Sequence, residues 1–227
     1  MDNSNIKNEK ENMQNLMQNS KKPNESSNLH IQGHIKIFDP QTKEIYVNKR
    51  NAIHYENFSI ALASSVANIG KNFISEMCFG NGGSRIDPTG IITYLTPNTS
   101  GLNAALYNQT YYKVVDDNSS LNIDPIRNKI EVRHIASKLY SDVLVTCLLD
   151  YGEPSGQAAF DNATDLNGDY VFDELGLKAW PGSEVGVGNG KLLTHVVFHP
   201  VQKSINRLIQ IEYTIRIQTL TNLTNAG

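Results

Sequence analysis

The sequence has little cysteine and no long apolar run. Of its 227 residues only 2 are cysteines, and both Cys78 and Cys147 lie within short apolar stretches. We therefore expect two buried free thiols, and not the disulfide-rich fold of a small secreted protein. No stretch approaches the ~20 apolar residues that a transmembrane helix needs, and residues 1–28 lack the apolar segment of a secretory signal. These absences predict a protein that is made in a cytoplasm and has no membrane partner.

An excess of basic residues is also missing. The formal net charge is −3, and the clearest local basic features are the Lys49-Arg50 pair, Lys129 and Arg133. A protein that binds nucleic acid through its phosphates usually carries a strongly positive face. The charge balance therefore predicts no specific nucleic-acid binding.

Motifs for catalysis and cofactor binding are absent as well. The glycine-rich run at 80–84 is not followed by the Lys and the Ser or Thr of a phosphate-binding loop, and no Gly-x-Ser-x-Gly nucleophile elbow occurs. On a strand, His195 and His199 would lie ~13 Å apart, too far to share a metal ion. Adjacent carboxylates such as Asp173 and Glu174 would point to opposite faces of a strand. We therefore predict no catalytic, cofactor-binding or metal-binding residues and no enzymatic activity.

One acidic cluster leaves a metal site open. The run at 165–169 resembles the middle of an EF-hand calcium loop, but in that register the first ligand position falls on Ala163, which cannot coordinate. Asp, Asn and Gly also favour tight turns. We favour a polar turn and keep calcium binding in the segment 165–174 as the alternative. The oxygen-bearing side chains in and near this run are Asp161, Asp165, Asn167, Asp169, Asp173 and Glu174.

The first 29 residues differ in composition from the rest of the chain. They are almost wholly Asn, Gln, Lys, Glu and Ser, so they have too little apolar surface to offset the entropy of ordering. We predict a flexible polar N-terminal arm at 1–29 and a single β-rich assembly domain at 30–227. Met13, Leu16 and Met17 have the spacing of one helix face, so a short helix there would dock on a neighbouring subunit. The alternative is a solvated tail.

Apolar and polar residues alternate in much of the remaining chain, which is typical of β-strands. Residues 31–37 and 44–48 predict a hairpin around a turn at 39–43. The clearest strand is 208–220, whose Ile-rich face we expect in the core. That face comprises Ile209, Ile211, Tyr213, Ile215 and Ile217. Further strands are expected at 73–79, 91–95, 107–115, 130–139, 142–150 and 192–198, with the continuously apolar 142–150 as a central strand. Residues 170–177 are expected to form a strand or a short ordered loop.

One segment has helical spacing instead. We predict a helix at 51–69 with Asn51 as its N-cap and Gly70 directly after its end. Its apolar stripe, which we expect to pack on a sheet, comprises Tyr55, Phe58, Leu62, Val66 and Ile69. Eight or more strands with a single helix predict a mainly β (α+β) fold, a β-sandwich or barrel flanked by one helix.

The order of several short runs resembles virion structural proteins of tailed bacteriophages, over roughly residues 33–220 and without the arm. The runs are Gly33-His34-Ile35-Lys36-Ile37, Val47-Asn48-Lys49-Arg50-Asn51-Ala52-Ile53-His54, Phe79-Gly80-Asn81-Gly82-Gly83, Leu106-Tyr107-Asn108-Gln109-Thr110 and His199-Pro200-Val201-Gln202-Lys203. The frequent Asn, Ile, Lys and Tyr suit a crAss-like phage. The resemblance implies a ring-forming protein of the head–tail connector or tail barrel, assembled in the host cytoplasm and located in the virion. It transfers no catalytic residue.

We therefore expect a non-enzymatic virion structural protein that acts by self-association and by contacts with other virion proteins, such as portal or tail proteins. Candidate contact loops lie at 80–90, 96–104 and 181–190. The alternative is a head-fibre or receptor- or carbohydrate-binding module of the virion. Such a module would need calcium in the segment 165–174 or an exposed aromatic platform, for which Trp180 is the candidate.

Overall fold

The computed structural model describes residues 27–70, 72–159 and 170–221, and its main folded unit spans His30–Gln218. The unit is mostly β-structure, with one α-helix among the described residues, which confirms the predicted fold class. The predicted arm lies outside the described residues except for 27–29, which begin the first strand. Residues 161–169 of the predicted acidic cluster also lie outside them, whereas Asp173 and Glu174 are described.

The described elements alternate short strands with turns around the single helix. In chain order they are β1 (Ser27–Phe38), β2 (Ile45–Ile53), α1 (Tyr55–Ala67), β3 (Ile74–Gly80), β4 (Ser84–Ile86), β5 (Ile92–Tyr94), β6 (Gln109–Val114), β7 (Lys129–His134), β8 (Tyr140–Leu149), β9 (Tyr170–Ala179), a 3-10 turn (Glu184–Gly186), β10 (Thr194–Lys203) and β11 (Ile209–Thr221). No helix in the part of the chain that the structure describes is long and apolar enough to cross a membrane.

Nine strands form one curled antiparallel sheet in the order β6-β3-β9-β10-β2-β1-β11-β8-β7, and β4 and β5 form a separate hairpin. The curl brings strands near its two edges together. The ammonium group of Lys113 on β6 donates a hydrogen bond to the carbonyl oxygen of Leu148 on β8 at 2.7 Å. The main apolar core lies within this curl, much as side chains fill the interior of a small barrel.

The predicted core face of β11 is confirmed over residues 209–215, whereas Ile217 is only half-buried. Ile209, Ile211, Tyr213 and Ile215 are all fully buried, because alternate residues of a strand share one face and this face looks into the curl.

The expectation that 142–150 forms a central strand is wrong. β8 is the second strand from the edge, and its outward-facing Thr146 is only half-buried.

The helix α1 begins later than predicted. Residues up to Ile53 belong to β2, so Asn51 is a strand residue and not the N-cap. His54 caps the helix instead: its Nδ1 accepts a hydrogen bond from the amide of Asn57 at 3.2 Å. The helix ends at Asn68, which takes a left-handed conformation with φ 53° and closes the last turn.

The apolar stripe of α1 packs on the sheet only in part. Phe58 is buried, but Tyr55, Val66 and Ile69 are 72%, 89% and 69% exposed, so the predicted packing of these three is wrong. A cavity separates the second half of the helix from β7, β8 and β11. Helical periodicity marks which residues share a face, but it does not ensure that the whole face is covered.

The two edges of the sheet differ in how they are protected. Along β6, the side chain of Gln157 accepts from the amide of Tyr112 at 2.9 Å and donates to its carbonyl at 3.0 Å, and Ala158 donates to Thr110. This segment occupies the β6 edge as an additional strand would. At the other edge, β8 is the strand partner of β7 among the described residues.

Candidate functional site

Two adjacent acidic residues of β9, Asp173 and Glu174, are buried where the pairing with β10 is irregular. The register passes from Val197↔Glu174 to Val201↔Phe172, so β10 has extra residues at this point. Such a bulge re-aims the side chains of a strand. The prediction that the two carboxylates serve opposite faces is wrong, since both accept hydrogen bonds from the same glycine-rich segment.

Asp173 binds the end of that segment. Its carboxylate accepts hydrogen bonds from the amide of Gly83 at 2.9 Å and from the amide and hydroxyl of Ser84 at 2.7 and 2.5 Å. A Cβ at position 83 would lie only 3.1 Å from Asp173 and 2.9 Å from Val197, so glycine permits the close approach. Burial nevertheless raises the pKa of Asp173, against the lowering effect of these donors.

Glu174 gathers donors from three separate parts of the chain. Its carboxylate accepts from the amides of Gly82 at 3.2 Å, Tyr107 at 2.9 Å and Asn108 at 2.8 Å, and it lies 3.0 Å from Nε2 of His195. Burial acts to raise the pKa of Glu174, but the donors from His195, Asn108 and Tyr107 outweigh it and hold the pKa below its usual value. The amides of Gly82, Gly83 and Ser84 therefore bind acidic side chains of the protein itself, Asp173 and Glu174.

His195 has both ring nitrogens occupied. Its Nδ1 accepts from the amide of Asn98 at 2.8 Å, which requires that the proton of the neutral ring sits on Nε2 and points at Glu174. The other histidine of the predicted pair, His199, is exposed and lies 3.1 Å from the hydroxyl of Tyr94 through Nδ1. His195 thus has no free nitrogen with which to accept a substrate proton or a metal ion.

A second pair of buried charged side chains, Glu76 and Lys178, lies on β3 and β9. Glu76 accepts from the amide of Gly188 at 2.8 Å through one oxygen, while its other oxygen has no hydrogen-bond partner among the residues that the structure describes. Lys178 donates to the carbonyl of Gly188 at 3.0 Å and to the side chain of Gln109 at 2.6 Å. Burial raises the pKa of Glu76 to about 7, against the lowering effects of Gly188 and Lys178. This pair ties residue 188 of the predicted contact loop 181–190 to the sheet.

An open apolar pocket lies between α1 and the curled sheet. Its volume is about 590 Å³, within the range of small-ligand and peptide-anchor sites. One wall is α1, and the opposite wall is formed by the inward faces of β7, β8 and β11. The apolar lining residues are Phe58, Ala61, Leu62, Phe73, Ile74, Ile130, Val132, Val143, Leu193 and Ile217.

The rim of this pocket is acidic and its surroundings are apolar. Asp116 and Asp117 are the charged residues in the lining. Val132 in the lining is 72% exposed, and Val66, which belongs to the wall helix α1 outside the lining, is 89% exposed. Contiguous exposed apolar surface of this kind is typical of a binding face. We name the pocket together with Val66 and Ile69 the apical groove.

No local sequence pattern predicted this groove. Its lining is drawn from positions between 58 and 217 of the chain, so no local pattern groups them. The one available signal was the apolar stripe of α1, which is longer than the sheet can cover. Trp180, the predicted aromatic platform, is half-buried and stacks on Phe73, with ring centroids 6.4 Å apart.

No protein-family model, no curated protein and no solved structure matches this chain. The function must therefore be inferred from the residues and their geometry.

Proposed function

We propose that this chain is a non-enzymatic structural protein of a tailed-phage virion, a ring-forming component of the head–tail connector or tail barrel. It would act by self-association and by contacts with neighbours such as portal or tail proteins, after assembly in the host cytoplasm. The observation that carries the proposal is the apical groove. An open apolar surface next to acidic residues is built to be covered by another protein chain.

The buried ionisable residues support an assembly role over a catalytic one. Asp173, Glu174 and His195 are held by internal hydrogen bonds that pin the glycine-rich segment and residues 98, 107 and 108 to the sheet. A catalytic base needs a lone pair that faces a substrate. These groups instead make the loops rigid, which lowers the entropy that the loops lose when a neighbour binds them.

The β7 edge provides a second surface for assembly. Its backbone on the side away from β8 is not covered by a strand among residues 27–70, 72–159 and 170–221. On this strand Glu131 pairs with Lys129 at 3.3 Å and with Arg133 at 3.1 Å. Charged residues on an edge strand oppose non-specific pairing with strands of other chains. A neighbour with complementary charges is therefore favoured at this edge.

The test is the oligomeric state of the purified full-length chain, measured by light scattering and sedimentation and imaged in negative stain. We expect concentration-dependent association into rings with rotational symmetry. A chain that stays monomeric at every concentration and is missing from purified phage particles overturns the proposal.

The alternative, a carbohydrate- or receptor-binding module, receives less support from the described residues. Trp180 shares one face with Phe73 and does not form an open platform. Of the proposed calcium ligands, Asp173 and Glu174 already bind backbone amides. The geometry therefore favours assembly.

A further inference from the structure

We propose that the apical groove binds residues 10–22 of the N-terminal arm of a second copy of this chain, with Met13, Leu16 and Met17 inserted in the pocket. This inference rests on the proposed function, because it names the contact by which neighbouring subunits hold one another.

The apolar residues of the arm suit the apolar lining of the groove. Met13, Leu16 and Met17 are the long apolar residues of the segment and fall on one face when the segment is helical. A groove between a helix and a sheet is the usual receptor for such a face, which binds through anchors at i, i+3 and i+4. Methionine also fills irregular pockets well because its side chain is unbranched and flexible.

The charges match as well. The rim of the groove carries Asp116 and Asp117. In the arm, residues 12–20 are uncharged; Glu11 precedes them, and Lys21 and Lys22 follow them. A segment whose apolar centre lies in the pocket and whose C-terminal end lies at the acidic rim would place Lys21 and Lys22 beside opposite charges.

The reach of the arm and the extent of the groove fit a neighbouring copy. The folded unit starts at His30. The chain from Met17 to His30 spans at most ~45 Å when it is fully extended. That is enough to reach an adjoining subunit of this size. The groove continues past the pocket to Val66 and Ile69, which are 89% and 69% exposed, so a neighbour seated there would cover more apolar surface than the segment alone.

The first experiment is cross-linking between differently tagged full-length chains that are co-expressed, one with Met17→Cys and the other with Ser65→Cys. Ser65 lines the pocket and is exposed, and the native Cys78 and Cys147 are buried. We expect the mixed disulfide dimer to be at least tenfold more abundant than in a control with Ile123→Cys, since Ile123 is 84% exposed and does not line the pocket. Equal yields of mixed dimer with Ser65→Cys and with Ile123→Cys overturn the proposal. It is also overturned if the double variant Met17→Cys/Ser65→Cys forms its disulfide only within single chains and not between chains.

The second experiment measures self-association of Leu16→Asp in the arm and Val132→Asp in the groove. Val132 is 72% exposed, so this variant retains the fold, which circular dichroism checks. We expect each to weaken association at least tenfold, and the matched controls Gln18→Asp and Ile123→Asp to leave it within twofold. If rings persist with unchanged affinity in both groove and arm variants, the docking is overturned while the assembly function stands. If the unaltered chain is monomeric and is missing from particles, the assembly function itself fails.

Discussion

The buried carboxylate of Glu174 lies 3.0 Å from Nε2 of the buried imidazole of His195. This hydrogen bond joins β9 to β10, and the other nitrogen of His195 holds the amide of Asn98. Together the two side chains fasten three chain segments, at 82, 98 and 107–108, onto the outside of the sheet. Stability of the domain should therefore depend on this pair far more than on its exposed charges.

The substitution Glu174→Gln should destabilise the protein. An amide offers one acceptor oxygen in place of two, and its NH₂ group would face backbone donors, which leaves buried amides without acceptors. We expect a loss of about 2–4 kcal/mol in the free energy of unfolding, measured by urea titration. The control Glu184→Gln, at an exposed residue, should change stability by less than about 0.5 kcal/mol. Equal effects from the two variants would contradict the role of Glu174.

The pKa of Glu76 predicts a specific pH dependence. Burial raises this pKa from 4.5 to about 7, so between these values the folded state keeps a proton that the unfolded state has lost. The contribution of Glu76 to the free energy of unfolding is therefore fully present below pH 4.5. It falls as the pH rises toward 7 and then levels off, and the total loss is roughly 3 kcal/mol.

The comparison that isolates Glu76 is urea unfolding of the protein and of Glu76→Gln across pH 4.5 to 8. The uncharged amide does not titrate, so the difference in stability between the two proteins should change over this range in favour of the variant. A difference that is independent of pH would show that Glu76 ionises normally in the folded protein.

The two thiols should be inert in the native protein. Cys78 and Cys147 are completely buried, and burial raises the pKa of each to about 12, so the reactive thiolate is scarce at neutral pH. We expect no alkylation by iodoacetamide at pH 7.5 over an hour, detected by mass spectrometry, and full alkylation in 8 M urea. Rapid labelling of either thiol without denaturant would mean that the core opens there.

Lys203 should be a strong determinant of stability despite its charge. It is buried, and its ammonium group donates to the carbonyls of Asp150, Glu153 and Ser204 at 3.0, 2.7 and 2.8 Å. Burial lowers the pKa of Lys203 to about 8, against the raising effect of nearby carboxylates.

Replacement of this residue by Lys203→Met keeps the apolar stem but leaves three carbonyls without their donor. We expect a loss of about 2–4 kcal/mol, seen as a fall in Tm of roughly 5–12 °C. Lys138→Met, at an exposed residue, is the matched control and should leave Tm within about 2 °C. A Tm for Lys203→Met close to that of the control would show that solvent replaces the lost donor.

Local patterns in the sequence predicted the strands better than the helix. The alternation in β11 identified its buried face correctly, since Ile209 through Ile215 lie in the core. The start of α1 was missed because residues 51–53 are compatible with either structure, and their pairing in β2 is a tertiary effect. Its buried face was overestimated because periodicity does not reveal where the covering sheet curves away.

The candidate site was less predictable than the fold. The glycine-rich segment at 80–84 was recognised as unsuited to a nucleotide phosphate, but its anion, Asp173 with Glu174, lies about 90 residues further along the chain. The apical groove had no sequence signature beyond the apolar stripe of α1, because its other walls come from β3, β7, β8 and β11.

The sequence by itself determined the β-rich class, the apolar face of the last strand and the burial of the two thiols, because each depends on the polarity and spacing of neighbours in the chain. The tertiary structure alone decided which donors hold Glu174, where the sheet curls and which apolar residues remain open around the pocket. Hydrogen bonds and apolar contacts act over a few ångströms, so partners that are distant in sequence are defined only after the chain has folded.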